Sequence, residues 1–375
     1  MAAKIVKKGT YLIDPVRSRV LRLFIFKERK FFTLLILLFV TTGVFYPYPK
    51  IAMWLGFLFA GYAAIANDSI QTIGTFLASN IKKPWWLLAL YIGGIFVVTM
   101  LVSWFMYDGD VSFQRLSSKG FDTAPEEFQF LQLAAPLVLL LLTRLQMPVS
   151  TTFLCLSAYA SSMKGITSVL QKSLMGYAIA FAVAFIVWYL FSKLIKGLTK
   201  GKAHPAWTFF QWIISGILWA VWLMQDLANI AVTLPRSLSA VEVFFFIAYI
   251  FIGLGVLFYL RGDKIQNVVT KKSEVKDVRG ATVIDFVYAL ILIFFQNMSK
   301  VPMSTTWVFI GLLGGREIAM TIAPHYKIGR KMKKTWKLVR GDVINASIGL
   351  LVSILVAVLV NKNLQEEILA YFKSF

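Results

Sequence analysis

The chain has 375 residues, of which 58% are hydrophobic and 15% are charged, and its mean hydropathy is +0.71. A water-soluble domain of this length needs more surface charge, so the composition excludes that class and predicts lipid-facing helices. The formal net charge of +21 does not indicate a nucleic-acid partner, because the basic residues lie in short segments between apolar runs. Cytoplasmic loops of membrane proteins carry basic residues in this way.

The first residues predict a basic segment followed by a helix that is kept in the mature protein. Residues 1–30 carry nine Lys/Arg, and no small-residue cleavage site follows the apolar run 31–46. This pattern does not fit a signal peptide. The single cysteine, Cys155, lies in an apolar run and excludes an internal disulfide framework.

The apolar runs predict spanning helices and two shorter helical pairs. A spanning helix needs about 20 apolar residues, and shorter runs are more often buried or re-entrant. Spanning helices are predicted at 31–46, 51–79, 85–106, 173–196, 206–235, 241–260 and 343–360. The remaining runs form two pairs joined around Pro148 and Pro302, and we interpret them as re-entrant hairpins at 130–163 and 283–322.

The basic residues predict the orientation. With a cytoplasmic N-terminus, 28 Lys/Arg fall in cytoplasmic segments and 8 fall outside. Since cytoplasmic loops are enriched in Lys and Arg, we predict a multi-pass protein of the plasma or inner membrane with its N-terminus in the cytoplasm. The other three, Arg144, Lys300 and Arg316, lie within the hairpins. One of them could neutralise an anion, or they could snorkel or form ion pairs, as Arg316 could with Glu317.

Two polar segments occur twice in the same order, which indicates an internal repeat. In 66–75 and again in 224–233, an aspartate follows one amide, precedes a second amide by three residues and precedes a threonine by seven. The sequence Pro-x-Ser-Thr-Thr then occurs at 148–152 and at 302–306. The distance from aspartate to serine is 82 residues in one copy and 78 in the other.

The predicted crossings place the two copies in opposite orientations. An odd number of crossings separates corresponding points, so the aspartate helices run antiparallel and the hairpins enter from opposite faces. This predicts an all-α polytopic membrane protein with two inverted-topology repeats, 51–204 and 205–375. Residues 1–50 form a basic cytoplasmic N-terminus and an extra helix. Inverted repeats are typical of secondary transporters, whose sites lie near the bilayer midplane.

The repeated aspartates predict a cation-coupling site. A charge inside an apolar helix costs at least about 2.5–3.5 kcal/mol, so it must be compensated. Carboxylate, amide and hydroxyl oxygens suit Na⁺, protonation is a second form of compensation, and hydrogen bonding between helices is a third. Residues three, four and seven apart share a helix face. The residues predicted on this basis are Asp68, Gln71, Thr75, Asp226, Asn229 and Thr233.

Each Ser-Thr-Thr sequence, called a hydroxyl run below, predicts the start of a second hairpin arm. Proline suits a first helical turn, and Ser or Thr caps free N–H groups. A helix N-terminus at membrane depth offers N–H groups and partial positive charge to an oxyanion. The alternative is an ordinary capped kink. The predicted substrate-binding residues are Ser150, Thr151, Thr152, Ser304, Thr305 and Thr306.

Both halves resemble the inorganic phosphate transporter (PiT) family at these segments. The family's repeats carry a Gly-Ala/Ser-Asn-Asp-x-Ala-Asn motif and a Pro-x-Ser-Thr/Ser-Thr-His motif. The resemblance implies anion binding by the two hydroxyl runs, and a homodimer. It also implies cation coordination by Asn67, Asp68, Gln225, Asp226 and Asn229.

The sequence departs from the family pattern at several motif positions. Gln71 and Gln225 stand where the family has asparagine. Ile65 and Leu223 replace the opening glycines, and the histidines after the hydroxyl runs are replaced by Phe153 and Trp307. These departures leave open which anion and which coupling ion the site takes.

We therefore expect a secondary active symporter of a small inorganic oxyanion, with phosphate favoured and sulfate as the alternative, driven by Na⁺ or H⁺. We expect no enzymatic activity, no cofactor other than the coupling ion and no nucleic-acid partner. An intramembrane aspartyl protease would explain the two aspartates but not the hydroxyl runs. A passive anion channel can use helix ends of the same kind, but it does not explain the paired acidic-amide motifs.

Overall fold

The computed structural model describes residues 28–117, 124–144, 150–160, 163–261, 277–298, 303–324 and 332–360, and residues 365, 366, 369, 370 and 373. Within these residues every regular element is helical. The predicted turns at Pro148 and Pro302, and Lys300, lie outside the described residues.

The helices are numbered here in chain order. They are α1 (Arg29–Phe45), α2 (Pro49–Ala63), α3 (Ile70–Ser79), α4 (Trp85–Met106), α5 (Phe130–Arg144), α6 (Met163–Leu190), α7 (Ser192–Leu198), α8 (Ala206–Ala231), α9 (Ala240–Tyr259), α10 (Val278–Met298), α11 (Thr305–Ile322) and α12 (Met332–Val360). A π-helical segment, Ala64–Ser69, joins α2 to α3. A second one, Thr152–Leu156, continues into the 3₁₀ turn Ser157–Tyr159.

Seven helical segments of the described chain are long and apolar enough to cross a membrane. They are Pro49–Ser79, Trp85–Met106, Met163–Leu190, Ala206–Ala231, Ala240–Tyr259, Val278–Met298 and Thr335–Val360. Large apolar side chains on their outer faces are exposed, for example Phe244, Phe245 and Ile252 on α9. The chain is thus an all-helical, multi-pass membrane protein over its described residues.

Some helix boundaries differ from those predicted. The run 173–196 belongs to a helix that begins earlier, at Met163, and ends at Leu190. Its first turns carry polar residues such as Lys164, Thr167 and Gln171, which lower the hydropathy there. The run 283–297, predicted to be a short hairpin arm, is part of the 21-residue helix α10. The run 148–163 does not form one α-helix, because its described residues 150–160 carry the π and 3₁₀ segments.

An N-terminal cap explains the earlier start of α10. The Asp277 carboxylate accepts the backbone N–H of Arg279 at 2.9 Å and also its guanidinium at 2.6 Å. The guanidinium beside it holds the pKa of the Asp277 carboxyl below its ordinary value. Arg279 in addition donates to backbone carbonyls of the loop after α7. The polar residues that begin α10 are therefore fixed by local bonds that hydropathy does not detect.

Close helix packing forms the centre of the molecule. α6 packs along α11, α8 along α10, and α4 along α9. Gly311 and Gly315, one turn apart on α11, lie directly against the backbone of α6. A Cβ atom at Gly311 would lie 2.4 Å from the Tyr177 carbonyl oxygen, and one at Gly315 would lie 2.1 Å from that of Phe181. Small residues four apart allow two membrane helices to approach this closely.

Candidate functional site

Asp68 is held by side chains of both predicted site segments of the first half. It lies in the π-helical segment Ala64–Ser69 and is only 3% exposed. One carboxylate oxygen accepts from the Asn67 amide at 2.6 Å, and the other accepts from the Thr151 hydroxyl. Gln71 donates to the Asn67 side-chain oxygen at 3.0 Å. The first acidic-amide motif and the first hydroxyl run therefore meet in one cluster.

Asp226 makes the same kind of contacts in the second half. It is 2% exposed on α8, and one oxygen accepts from the Asn229 amide at 2.6 Å. The other accepts from the Thr305 hydroxyl, also at 2.6 Å. Trp222, one turn earlier on α8, donates its indole N–H to the Thr305 hydroxyl at 3.1 Å. The Gln225 amide donates to the Leu292 carbonyl at 3.0 Å.

The two clusters use equivalent positions. In each half, the first threonine of the hydroxyl run donates to the second oxygen of the aspartate. In each half, a side-chain amide of the acidic-amide motif donates to the first oxygen. The amide donor differs, since Asn67 precedes its aspartate and Asn229 follows its own by three residues. The sequence repeat is therefore also a repeat of hydrogen bonds.

The second threonines connect the two clusters. Thr152 accepts from the Asn229 amide at 3.0 Å and donates to the Met303 carbonyl at 3.2 Å. Thr306 lies within hydrogen-bonding reach of Asp68, and Asp68 and Asp226 interact electrostatically. The two hydroxyl runs and the two aspartates thus form a single buried site.

The residues after the hydroxyl runs also meet. Phe153 and Trp307 lie with their ring centroids 5.5 Å apart. Neither side chain carries a charge, so this part of the site is closed by an aromatic pair that does not titrate.

The serines of both runs cap the helical segments that follow them. The Ser150 hydroxyl accepts the Phe153 N–H, and the Ser304 hydroxyl accepts the Trp307 N–H, each at 3.3 Å. The Ser304 N–H in turn donates to the Ser173 hydroxyl at 2.8 Å. A hydroxyl that accepts in this way keeps one proton to donate. The serines can therefore order the helix starts and still donate to an anion.

Two amide oxygens next to Asp226 have no hydrogen-bond donor among the described residues. They are Gln225 Oε1 and Asn229 Oδ1, and both are buried. A buried acceptor without a donor costs about 1–3 kcal/mol. Amide oxygens, like carboxylate oxygens, are hard ligands of the kind that alkali cations prefer.

Two residues predicted at the cation site point elsewhere. The Thr75 hydroxyl donates to Asp285 at 2.5 Å, and the Thr233 hydroxyl donates to the Met53 carbonyl at 3.0 Å. Both threonines lie seven residues beyond their aspartates, and there Thr75 joins α3 to α10 and Thr233 joins the turn after α8 to α2.

Asp285 is a third buried aspartate, which was not among the predicted site residues. It is 1% exposed on α10 and accepts from the Thr75 and Ser215 hydroxyls, each at 2.5 Å. The next turn of α10 carries Tyr288, whose hydroxyl donates to the Thr305 carbonyl at 3.1 Å. Its position in an apolar run is the signal that could have found it. It was missed because it has no counterpart in the first half.

Arg115 and Lys172 are also buried, although both were assigned to outside segments. Arg115 is 2% exposed, and its Nε–H donates to the Met224 carbonyl at 2.9 Å. Met224 lies two residues before Asp226 in the chain. It lies in the loop after α4, and burial lowers its pKa to about 10 while the nearby Asp226 opposes the shift. Arg115 is therefore charged at neutral pH. Lys172 is 5% exposed on α6.

Two of the three charges within the predicted hairpins form ion pairs. Arg144 contacts Glu28 at 2.5 Å and lies over the Phe31 ring at 4.9 Å. Arg316 contacts Glu317 at 2.9 Å. These contacts favour a structural role for both arginines.

Comparison of the chain with protein-family models, with curated proteins and with solved structures gave no match.

Proposed function

We propose that the protein is a secondary active symporter that moves a small inorganic oxyanion, preferably phosphate, together with Na⁺ or H⁺. One observation carries this proposal. Equivalent residues of two sequence copies make the same aspartate–threonine hydrogen bond, and both bonds lie in one buried site. A carboxylate suits a cation and a capped helix start suits an anion, so the site can hold both.

The helix packing supports two inverted repeats. α6, the last spanning helix of the first half, packs on α11 of the second hairpin region. α12 of the second half packs on the π and 3₁₀ segments of the first hairpin region. Likewise α2 packs on α5, and α8 packs on α10. This reciprocal exchange of partners is expected for repeats related by a two-fold axis.

The length of α10 does not alter the predicted orientation of the repeats. We also propose that each half contains a re-entrant hairpin. A helix of 21 residues can reach across the membrane, and α11 would then return to the starting side. A hairpin that crosses the membrane and returns ends on the side where it began, as a re-entrant hairpin does. The rest of the chain therefore has the same orientation in both cases.

The buried amide oxygens support the cation part of the proposal. Gln225 Oε1 and Asn229 Oδ1 flank Asp226 without a donor among the described residues. Na⁺ can accept such an oxygen as a ligand, whereas a proton on the carboxylate leaves it without a partner. Of the two coupling ions, this favours Na⁺.

The threonine bonds suggest how cation and anion binding are coupled. The hydroxyls of Thr151 and Thr305 donate hydrogen bonds to the aspartates. A cation on each carboxylate weakens those bonds, because it competes for the same oxygens. The hydroxyls can then rotate toward an anion at the helix starts. Cation binding thus prepares the donors that the anion needs.

Uptake by proteoliposomes tests the function. Purified protein is reconstituted, and uptake of radiolabelled phosphate or sulfate is followed with an imposed Na⁺ or H⁺ gradient. We expect concentrative phosphate uptake that requires one of the gradients, and sulfate uptake would identify the alternative substrate. Uptake that only equilibrates the anion, equally fast without any gradient, would show a passive channel and contradict symport.

A further inference from the structure

Asp285 is a buried carboxylate that the function described above does not use. Its two oxygens accept from the Thr75 hydroxyl of α3 and from the Ser215 hydroxyl of α8, each at 2.5 Å. All three side chains are buried, and together they are called the Asp285 site below. Three helices, α3, α8 and α10, therefore meet at one acidic group.

Asp285 makes no ion pair with any of the described residues. Its contacts there are the two hydroxyls, and Arg279, the other charged residue of α10, is bonded to Asp277 and to carbonyls of the loop after α7. A charge inside a membrane helix costs at least about 2.5–3.5 kcal/mol. Neutral polar side chains can join membrane helices without that cost. An acidic group in this place therefore indicates that a cation or a proton binds there.

Two side chains connect the Asp285 site to the central site. Thr72 on α3 and Tyr288 on α10 each lie three residues from a member of the Asp285 site, which is about 4.5 Å along a helix axis. Their hydroxyls lie within hydrogen-bonding reach of each other. Thr72 also donates to the Asp68 carbonyl, and Tyr288 donates to the Thr305 carbonyl, each at 3.1 Å. The Asp285 site thus adjoins both halves of the central site.

Polar contacts continue on the other side of the Asp285 site. Ser79 lies four residues beyond Thr75, and Gln211 lies four residues before Ser215. The Gln211 amide donates to the Ser79 hydroxyl, and the Asn80 amide donates to the Gln211 side-chain oxygen at 2.8 Å. Ser79 is half-buried and is the last residue of α3. Polar side chains therefore follow one another, turn by turn, from the central site to the end of α3.

This series of polar contacts leads to one side of the molecule. The end of α3 contacts the first turns of α8 through Asn80 and Gln211, and the start of α10 is bonded to the loop before α8 through Arg279. Under the predicted orientation this side is cytoplasmic. α5, which precedes the first hydroxyl run as α10 precedes the second, contains no Asp or Glu. A carboxylate therefore lies on only one of the two routes that the inverted repeats would provide.

We propose that the coupling cation passes from the central site to Asp285 on its way to the cytoplasm. The inference rests on the proposed function and deepens it, because it names the site through which the cation is released. The Thr75 and Ser215 hydroxyls can turn their protons away and offer oxygen lone pairs to Na⁺. If the coupling ion is H⁺, a carboxylate oxygen of Asp285 takes the proton instead.

Net uptake and exchange depend on this release step in different ways. Net uptake requires the coupling cation to leave on the inside, so a slow release limits the rate of each cycle. Exchange of labelled for unlabelled phosphate, with the coupling ion and phosphate at equal concentrations on both sides, does not require that the cation leaves. Asp285→Asn should therefore slow net uptake and spare exchange.

Reconstitution of the full-length protein in proteoliposomes tests this difference. We expect Asp285→Asn to lower gradient-driven net uptake at least about tenfold and to keep exchange within about twofold of the wild type. Ser215→Ala keeps the carboxylate and removes one hydroxyl, so it should lower net uptake less and also spare exchange. Phosphate affinity, measured by calorimetry in NaCl, should be that of the wild type in both variants.

A matched control lies on the same helix. Thr282 is buried one turn before Asp285, and its hydroxyl donates to the Val278 carbonyl of α10 at 2.7 Å. Thr282→Val should leave net uptake and exchange unchanged. A selective loss of net uptake in this variant would mean that the effect does not come from the carboxylate, and would overturn the inference.

A binding measurement identifies the ion without any transport step. If the ion is Na⁺, purified Asp285→Asn should bind one radiolabelled Na⁺ fewer than the wild type at saturation. If the ion is H⁺, the infrared spectrum of the wild type should contain a carboxylic-acid carbonyl band that Asp285→Asn lacks. The absence of both differences would overturn the inference.

The outcomes distinguish the inference from the proposed function. Net uptake at the wild-type rate by Asp285→Asn would overturn the release site while symport stands. Equal losses of net uptake and exchange in the folded variant would show a structural role for Asp285 and would also overturn it. If the wild type itself shows neither net uptake nor exchange, symport is contradicted, and the binding measurement alone decides whether Asp285 holds a cation.

Discussion

Asn229 and Thr152 belong to different halves of the chain, yet the Asn229 amide donates to the Thr152 hydroxyl across 3.0 Å. The same amide donates to Asp226 at 2.6 Å. Asn229 therefore joins the acidic-amide motif of one half to the hydroxyl run of the other. A substitution in either hydroxyl run should alter the hydrogen bonding of both aspartates, because the site is one hydrogen-bonded unit.

The aspartates should be required for coupling. Asp68→Asn and Asp226→Asn should each abolish gradient-driven uptake, because the neutral amide no longer attracts the coupling cation. Folding should be retained, since asparagine has nearly the same shape. Asp108→Asn is a matched control, because Asp108 is exposed in the loop after α4. Proteoliposome uptake measures the effect, and unchanged ion dependence in both variants would favour purely structural bonds between helices.

The serines should contribute to anion affinity. A hydroxyl bond to a charged partner contributes about 1.5–3 kcal/mol, so Ser150→Ala or Ser304→Ala should weaken phosphate binding about tenfold or more. Each change should also destabilise its helix start by about 1 kcal/mol. Calorimetry measures the affinity, and thermal unfolding measures the stability.

A control and a double variant make the serine prediction specific. Ser353 is also buried, but its hydroxyl donates to the Gly349 carbonyl of its own helix at 2.7 Å. Ser353→Ala should leave phosphate affinity unchanged. Since both runs serve one site, the effects of Ser150→Ala and Ser304→Ala should not add independently. Additive effects would indicate two separate sites.

The glycines of α11 should be required for stability. Gly311→Ala and Gly315→Ala place a Cβ against the α6 backbone, and overpacking of this kind costs about 1–3 kcal/mol. In Gly314→Ala the new Cβ meets only side-chain atoms of Phe181 and Val339, the nearest at 3.5 Å, and the change should be neutral or slightly stabilising. Thermal unfolding in detergent should show lower midpoints for the first two variants only. Equal losses at all three positions would mean that helix contact is not the cause.

The orientation can be tested with engineered cysteines. The native Cys155 is buried and should give no background. With a cytoplasmic N-terminus, Lys50→Cys should react with a membrane-impermeant thiol reagent in intact cells. Lys83→Cys, at the other end of the first aspartate helix, should react only after permeabilisation. Labelling of both in intact cells would contradict the predicted orientation.

The sequence predicted the helices and the residues of the central site, but it assigned those residues to two separate roles. The aspartates were assigned to a cation site and the hydroxyl runs to an anion site, whereas Asp68 and Thr151 are directly bonded. The internal repeat identified the aspartates and the hydroxyl runs, because a pattern that occurs twice can be recognised without knowledge of the fold.

The contacts of several other buried polar residues could not be predicted, because their partners are distant in the sequence. Thr75 and Asp285 are 210 residues apart, and Arg115 lies 109 residues before Met224. Hydropathy assigned Arg115 and Lys172 to outside segments, since it averages over a window and cannot show that a single charged side chain turns inward. Burial of these residues is a property of the packed helices.

The two halves make equivalent side-chain hydrogen bonds, but their backbones differ at these positions. Asp68 and Thr152 lie in π-helical turns, whereas Asp226 and Thr306 occupy the corresponding places in regular α-helices. A π turn holds one residue more than an α turn, so its conversion to α rotates and shifts every residue beyond it. In a transporter with inverted repeats, the outward- and inward-facing forms are related by an exchange of conformations between the halves. Under the proposed function, the opposite-facing form would have regular α turns around Asp68 and π turns around Asp226, and the proposed transport cycle would include a one-residue change of helical register.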